Sequence, residues 1–268
     1  QQEAWQRTTY DAIGAGKLAL LILAGGAGTR LGFAGPKGKY RVGSPSNASL
    51  FELHSHRVRK LELEVSKLTG TDVRIPVYVM TSPTNNDETV DFFRENNYFG
   101  LDSGHVRFFA QGTLPCFDNN GGKLMLDAPD HIAEAADGNG GLYPAMYNTG
   151  VLDDLTKRGG DYIHTICIDN ILVKALDPAF MGLVVQSQAD VGSLVVKKRA
   201  WKEPIGMLVQ LDGKYAIAEY SDVGDDMKQA TTADGRLKFE AGNICIHAFS
   251  TKFLVEKVVP EYVQKIVP

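Results

Sequence analysis

The stretch LLILAGGAGTRLG at residues 20–32 runs from a continuous apolar segment into a glycine-rich loop, and PKGKY follows at residues 36–40. The apolar run Leu18–Leu23 has the composition of a buried strand. Glycines directly after such a strand let backbone N–H groups approach an anion closely, because they carry no Cβ. Arg30 and Lys37 add two positive charges nearby. The stretch therefore predicts a phosphate-binding loop at the end of the first strand.

The glycine spacing argues against two common nucleotide-binding motifs. A P-loop requires G-x-x-x-x-G-K-[ST], and none of the Gly-Lys pairs of the chain has a glycine in the required place. A dinucleotide fingerprint requires G-x-G-x-x-G, whereas Gly26, Gly28 and Gly32 are spaced G-x-G-x-x-x-G. The next predicted strand also lacks the acidic residue that would bind a ribose. What remains is a loop whose exposed amides, with Arg30 and Lys37 close by, could neutralise another highly charged nucleotide, or a tight strand-to-helix turn with solvated charges.

Composition limits the class of protein. The 268 residues are 44% hydrophobic and 22% charged, as in ordinary globular domains, and the net charge of −4 gives no basic footprint for nucleic acid. Cys116, Cys167 and Cys245 are far apart and predict reduced thiols, while His54 and His56 diverge on a helix and disfavour a zinc site. The longest apolar run is too short for a membrane span, and no signal-peptide pattern begins the chain. We expect a cytoplasmic protein that binds neither nucleic acid nor membrane.

Apolar runs alternate with helical patterns, which predicts βα units and a largely parallel sheet. The first strand is Leu18–Leu23, and the other predicted strands of this part are 75–80, 105–110 and 162–168. The predicted helices are 50–68, 84–97 and 143–157, and DNNGG at 118–122 predicts a hairpin turn. Short strands within 191–198, 207–220 and 236–249 predict a mixed extension of the sheet. We expect one continuous α/β domain over residues 1–268, with a mixed, mainly parallel central sheet flanked by helices.

LAGGAGTRLG at residues 23–32, followed by PKGKY, resembles the signature of eukaryotic-type UDP-N-acetylhexosamine pyrophosphorylases of the UDP-sugar pyrophosphorylase superfamily. The resemblance covers nearly the whole chain, with further motifs in family order: QGTLP (111–115), DGNGGLY (137–143), IDNILVK (168–174), EPIG (203–206), EYSD (219–222) and FEAGNI (239–244). It implies a Rossmann-like nucleotide-sugar transferase fold. The implied activity is that of a uridylyltransferase, which makes UDP-N-acetylglucosamine and pyrophosphate from UTP and N-acetylglucosamine 1-phosphate.

The resemblance also implies which residues bind the substrates. The uracil is expected against the backbone of Gly25 and Gly26 and the amide of Gln111, with Gly138 at the nucleoside. An amide offers both a donor and an acceptor, so it can read an edge with an N3–H and a carbonyl. The residues expected to face the amino sugar supply hydrogen-bonding groups or a close backbone: Asn139, Gly206, Glu219 and Asn243.

The implied catalysis is an in-line attack by a sugar-phosphate oxygen on the α-phosphorus of UTP, with pyrophosphate leaving. Lys37 would bind oxygens of the α-phosphate and Arg30 would restrain the β- and γ-phosphates. Asp169 follows a predicted buried strand and would hold Mg²⁺ together with phosphate oxygens. No serine, cysteine or histidine nucleophile is required.

Two alternatives stay open. A UDP-glucose or broad UDP-sugar pyrophosphorylase would run the same reaction without an acetamido pocket, and a non-catalytic nucleotide-sugar-binding paralogue would bind UTP without releasing pyrophosphate. The family continues past the segment that corresponds to residues 251–268, so we expect its N-terminal extension and C-terminal domain to be absent from this sequence. Preference among sugar phosphates, oligomeric state and regulation are not decided by the sequence.

Overall fold

The structure is a computed structural model that describes residues 1–261, except for the side chain of Arg30. Its strands are β1 (Leu18–Leu23), β2 (Val77–Thr81), β3 (Val106–Ala110), β4 (Thr113–Pro115), β5 (Leu126–Ala128), β6 (His131–Ile132), β7 (Glu134–Ala136), β8 (Tyr162–Cys167), β9 (Val191–Lys197), β10 (Met207–Leu211), β11 (Lys214–Ala218) and β12 (Ala241–Ser250). Its helices are α1 (Gln2–Gly14), α2 (Leu50–Thr69), α3 (Asn86–Glu95), α4 (Leu142–Asn148), α5 (Val151–Lys157), α6 (Pro178–Gln186), α7 (Asp225–Gln229) and α8 (Thr251–Phe253), which continues as a π-helical turn (Leu254–Val258).

The main sheet of the described residues has eight strands in the order β11-β10-β12-β8-β1-β2-β3, with β9 paired to β12. β1 lies at the centre of a parallel half, between β8 and β2. β12 is antiparallel to β8, β9 and β10, and β11 is antiparallel to β10. Six strands therefore point the same way and β11 and β12 point the other way. The expected mixed, mainly parallel sheet flanked by helices is confirmed.

Alternation along β1 explains why this strand is buried on both faces. Leu18, Leu20 and Ile22 belong to one hydrophobic cluster, and Leu21 and Leu23 belong to a second cluster. Successive side chains of a strand point to opposite faces, so each cluster covers one face of the sheet. The two-sided core leaves only the ends of the parallel strands open to a ligand.

Helix α2 begins and ends at residues that are typical of helix boundaries. The Ser49 hydroxyl accepts a hydrogen bond from the Glu52 N–H at 3.1 Å, and the Glu52 carboxylate accepts one from the Ser49 N–H at 3.2 Å. This capping box satisfies two N–H groups at the first turn. The helix ends at Gly70, whose left-handed φ of 74° closes the last turn. The prediction for residues 50–68 is confirmed to within one residue.

One helix predicted from the sequence is divided into two helices in the structure. The structure divides residues 143–157 into α4 and α5, and Gly150 between them has a left-handed φ of 70° that no helix continues through. The bounds of the other predicted helices, and of the predicted strands outside 207–220 and 236–249, shift by at most two residues. The hairpin of β10 and β11 turns at Asp212 and Gly213, both with positive φ. The later strand, β12, begins at Ala241.

Helices α1 and α6 were not predicted from the sequence, and they pack against each other. The Thr9 hydroxyl donates to the Pro178 carbonyl at 2.7 Å. A Cβ at Gly182 would overlap the backbone of Trp5, so this glycine allows the close approach. Within residues 1–261, no helix is both long and apolar enough to cross a membrane.

Candidate functional site

A cavity of about 300 Å³ opens at the carboxyl ends of β1, β2 and β8. Parallel strands present their carboxyl ends at one edge of a sheet, which is where open α/β folds bind ligands. Loops after β3 and β7 complete the wall. The lining residues are Leu23, Gly25, Gly26, Lys37, Met80, Gln111, Ala136, Gly138, Asn139, Cys167, Ile168 and Asp169.

The glycine loop folds back on the PKGKY segment. The Gly28 N–H donates to the Gly35 carbonyl at 2.9 Å, and the Lys37 N–H donates to the Gly26 carbonyl at 3.1 Å. A Cβ at Gly28 would lie 2.8 Å from the Phe33 ring, so glycine is needed for this fold. These contacts hold the backbone of Lys37 beside Gly26.

Lys37 and Asp169 form an ion pair at the cavity. The distance between Lys37 Nζ and Asp169 Oδ2 is 2.9 Å, and the two side chains are 21% and 50% exposed. A pair this exposed contributes little to stability. The Lys37 ammonium can therefore leave Asp169 and bind an anionic ligand. The Asp169 carboxylate can then bind a cation that accompanies that ligand.

Gln111 presents its amide next to the first glycine of the loop. The residue is 6% exposed, and its backbone N–H donates to the Thr81 carbonyl at 2.9 Å. A Cβ at Gly25 would lie 2.7 Å from Gln111 Nε2, so the absence of a side chain at Gly25 leaves room for this amide. The two residues form one corner of the cavity.

Asn85 holds the glycine loop from behind and was missed from the sequence. Its Nδ2 donates to the carbonyls of Ala24 and Gly25 at 3.3 and 3.1 Å, and its Oδ1 accepts from the Ser82 N–H at 2.8 Å. Asn85 is the residue before α3. An asparagine at a helix start is usually explained by capping, so the sequence offered no signal for this second role.

The loop after β7 places Gly138 and Asn139 at the cavity, and Asp137 supports it. The Asp137 N–H donates to the Gly112 carbonyl at 3.1 Å. A Cβ at Gly112 would lie 2.7 Å from Asp137 Oδ2, and one at Gly141 would overlap the same carboxylate. Partial burial raises the pKa of the Asp137 carboxyl. The conformation of this loop therefore depends on Gly112 and Gly141, which leave space for the Asp137 carboxylate.

Two side chains of α2 hold the segment that carries Asp169. His54 Nε2 lies 3.1 Å from the Ile168 carbonyl, and Arg57 donates to the carbonyls of Val173 and Ile171 at 3.1 and 2.5 Å. Burial lowers the pKa of His54 to about 4, so its ring is neutral at pH 7. A carbonyl can only accept, so we assign the ring proton to Nε2. The i, i+3 spacing of the two residues is the one sequence signal for this role.

The remaining predicted sugar-site residues form a second group. The Asn243 N–H donates to the Gly206 carbonyl at 2.8 Å, and a Cβ at Gly206 would lie 3.1 Å from Glu219 Oε1. Gly206, Glu219 and Asn243 are thus brought together, but they do not line the 300 Å³ cavity. Asn243 lies on β12, where its Oδ1 accepts from the Cys245 N–H at 3.1 Å, and β12 pairs with β8, whose last residue, Cys167, lines the cavity.

Few of the described side chains at the cavity could act as ligands for a metal ion. Among the residues that the structure describes, no group of three or more His, Cys, Asp or Glu side chains is placed to hold a metal ion. Asp169 is the one carboxylate among the residues that line the cavity. The backbone of Arg30 lies in a short 3₁₀ turn (Thr29–Leu31), and the predicted role of its side chain lies outside the described atoms.

Comparisons with known proteins agree with this arrangement. A human protein named UDP-N-acetylhexosamine pyrophosphorylase-like protein 1 is 44% identical over 252 residues, which cover 93% of this chain and 49% of that protein. The UDP-N-acetylglucosamine pyrophosphorylase of Saccharomyces cerevisiae is 37% identical over 254 residues, covering 95% of this chain and 52% of that protein. The chain spans about half the length of the curated relatives it matches.

The fold comparison gives the same result. A crystal structure of the uridine diphosphate N-acetylglucosamine pyrophosphorylase from Trypanosoma brucei, in complex with an inhibitor, superposes with a TM-score of 0.89 and 34% sequence identity. The match covers 99% of this chain and 53% of that one. The family described as UTP–glucose-1-phosphate uridylyltransferase matches residues 2–266. Because this match covers nearly the whole chain, the chain belongs to the UTP–glucose-1-phosphate uridylyltransferase family.

Proposed function

We propose that residues 1–268 are the central catalytic domain of a uridylyltransferase that makes UDP-N-acetylglucosamine and pyrophosphate from UTP and N-acetylglucosamine 1-phosphate. The observation that carries the proposal is the cavity that joins the Gln111 amide, the glycine-loop backbone and the Lys37–Asp169 pair. The names of the yeast and trypanosomal relatives support this substrate pair. A cytoplasmic setting is part of the proposal, in agreement with three cysteines that are free thiols.

The nucleotide binds through backbone and amide groups. The backbone N–H of Gln111 donates to the Thr81 carbonyl, and its amide lies at the wall beside Gly25. A buried amide that pairs with a uracil edge discriminates strongly, because a base without the matching groups leaves it unsatisfied. Gly26 and Gly138 lie close by and let the nucleoside approach the backbone.

The transfer needs positioning and charge neutralisation rather than a protein nucleophile. An oxygen of the sugar phosphate attacks the α-phosphorus of UTP, the bond from that phosphorus to the β-phosphate oxygen breaks, and pyrophosphate leaves with the electron pair. Lys37 binds oxygens of the α-phosphate and stabilises their developing charge. Arg30, which follows the same glycine loop in sequence, restrains the β- and γ-phosphates.

The residues present fit a magnesium ion that is shared with the substrate. Mg²⁺ usually takes one or two carboxylates, keeps several waters and completes its shell with phosphate oxygens. Asp169 offers one half-exposed carboxylate at the cavity, which suits that kind of site and not an all-protein cage. When bound by Asp169, the ion would reduce the repulsion between the two phosphate-bearing substrates.

The amino sugar contacts Asn139 at the cavity and the group formed by Gly206, Glu219 and Asn243. Asn243 is fixed by its backbone bond to Gly206, and the Glu219 carboxylate lies over the same glycine. This group supplies an amide and a carboxylate, which are suitable partners for sugar hydroxyls and an acetamido group.

Pyrophosphate release from UTP tests the proposal. The chain is assayed with Mg²⁺ and with the 1-phosphates of N-acetylglucosamine, N-acetylgalactosamine and glucose, and UTP binding is measured in parallel by calorimetry. Turnover with the N-acetylated sugars supports the proposal, and preference for glucose moves the assignment to a UDP-glucose or broad UDP-sugar enzyme. UTP binding without pyrophosphate release, repeated with a longer protein that contains this chain, would leave a non-catalytic binding relative.

A further inference from the structure

Two of the three cysteines meet where β8 and β12 separate. The β8–β12 pairing runs from Tyr162 opposite Ser250 to Thr165 opposite His247, and the same register continued by two residues would place Cys167 opposite Cys245. Cys167 Sγ lies 4.0 Å from the Cys245 carbonyl oxygen. Both cysteines are partly buried, and Cys167 lines the 300 Å³ cavity. Cysteines facing each other across two antiparallel strands lie within the reach of a disulfide.

The backbone at Cys245 is unusual. Its φ of 55° is left-handed, which is uncommon for a residue other than glycine. The register between β12 and β9 shifts between Asn243 and Ile246, so Cys245 sits in an irregularity of the strand. Such irregularities re-aim side chains beside functional sites. The Asn243 amide contacts this residue twice, with Oδ1 on the Cys245 N–H at 3.1 Å and Nδ2 3.9 Å from Sγ.

We propose that Cys167 and Cys245 are a modification site: a dithiol that a peroxide converts to a disulfide across β8 and β12. The sulfur of one of the two cysteines attacks one peroxide oxygen, the O–O bond breaks, and the second oxygen leaves as water, which gives a sulfenic acid. The sulfur of the other cysteine then attacks the oxidised sulfur, the S–O bond breaks, and hydroxide leaves with the proton of the attacking thiol as a second water. Two electrons pass from the sulfurs to the peroxide, and a dithiol reductant reverses the reaction.

The disulfide ties the cavity wall to the segment that carries Asn243. Because Asn243 contacts Cys245 through both atoms of its amide, a bond at Cys245 moves one of the proposed sugar contacts. We expect oxidation to weaken UDP-N-acetylglucosamine binding. This consequence rests on the proposed function, whereas formation of the disulfide does not.

Peptide mapping of the wild-type chain tests the bond directly. The protein is treated with a small excess of hydrogen peroxide, remaining thiols are alkylated, and the digest is analysed by mass spectrometry without reduction. We expect one linked peptide pair containing Cys167 and Cys245, a loss of two hydrogen atoms, and recovery with dithiothreitol. Cys116, which directly follows β4, is the internal control. Loss of all three thiols at one rate, or absence of the linked pair, overturns the proposal.

Two conservative variants test whether the cysteines react as a pair. Neither Cys167→Ser nor Cys245→Ser can form the linked peptide, so at least one of them should trap a sulfenic acid that dimedone labels, whereas wild type should show little label. Absence of the label in both variants would contradict the sulfenic acid step. UDP-N-acetylglucosamine binding is then compared between reduced and oxidised wild type. If the reduced protein does not bind it, the proposed function fails while the disulfide still stands or falls on the mapping.

Discussion

Lys37 and Asp169 are 132 residues apart in the chain, yet their ammonium and carboxylate are 2.9 Å apart at the cavity. The contact joins the loop after β1 to the end of β8, two neighbouring strands of the parallel half. In the proposed reaction both groups are needed for phosphate and its counter-ion. On this proposal, substrate binding would exchange the ion pair for two new ones without unpairing a buried charge, because both side chains are partly exposed.

Lys37→Ala should lower kcat for pyrophosphate release by about 10²–10³-fold, because one donor to the transition-state charge is lost. The affinity for UTP should change less, since the base and ribose keep their contacts. Steady-state kinetics and UTP calorimetry measure the two effects separately. Lys39→Ala is the matched control: Lys39 lies two residues away and pairs with Glu88 at 2.6 Å. A kcat for Lys37→Ala equal to that of the control would remove Lys37 from catalysis.

Gly25→Ala should weaken UTP binding by about tenfold, because its Cβ would lie 2.7 Å from Gln111 Nε2 and displace that amide. The same substitution should cost less in a Gln111→Ala background, where the clash with the amide is gone and a contact of 3.2 Å with the Thr81 carbonyl oxygen remains. A double-mutant cycle of UTP affinities tests this coupling. Gly122→Ala, whose Cβ would meet no atom within 4 Å, is the control. Additive effects would show that Gly25 does not act through the amide.

Gly206→Ala should raise the KM for N-acetylglucosamine 1-phosphate by about tenfold and leave the KM for UTP unchanged. Its Cβ would lie 2.9 Å from the Ile217 side chain and 3.1 Å from Glu219 Oε1, so the carboxylate must move. Kinetics with each substrate varied in turn measure the two constants. Gly224→Ala has open space around its Cβ and should change neither constant. An equal rise in both KM values would argue for a general loss of structure.

His164 should make the protein sensitive to acid. Its side chain is fully buried, its Nδ1 accepts from the Leu176 N–H at 2.9 Å, and burial lowers its pKa to about 3. The unfolded histidine binds a proton below pH ~6.5 and the folded one does not. The free energy of unfolding should therefore fall as the pH drops from ~6.5 toward 3, by about 1.4 kcal/mol per pH unit for this residue.

Urea unfolding at a series of pH values measures this dependence. His164→Asn keeps an acceptor near the position of Nδ1 and removes the proton site, so its stability should depend on pH less steeply by about one proton. His56→Gln changes an exposed side chain and is the control. A pH dependence for His164→Asn as steep as that of wild type would show that another group takes up the proton.

Elements with a continuous physical signal could be predicted from the sequence, and elements without one could not. β1 is six apolar residues, and α2 has an apolar stripe between a serine cap and a glycine stop, so both were placed to within one residue. β5, β6 and β7 are two or three exposed residues each, too short to show a period. The break at Gly150 depends on one backbone angle, which the helical pattern on both sides conceals.

The candidate site divides in the same way. Residues within recognisable motifs, such as Lys37, Gln111 and Asp169, lie at one cavity as the motifs implied. Asn85 and His54 act through carbonyl groups of distant segments, at 3.1 Å in each case. A carbonyl has no sequence signature, because every residue carries one. Residues that position a site through backbone contacts therefore become visible only in three dimensions.

β12 also bears on how this site can change. It pairs with β8 on the parallel half and with β9 and β10 on the antiparallel extension, so three of the proposed sugar contacts lie on or beside the extension (Gly206, Glu219 and Asn243), whereas Asn139 lies at the cavity with the proposed nucleotide contacts. Substitutions in the β10–β11 hairpin can change the proposed sugar contacts on the extension. The parallel strands that carry the cavity stay unchanged. Proteins with this architecture can therefore evolve a different sugar preference through changes in the antiparallel extension, while their nucleotide preference is retained.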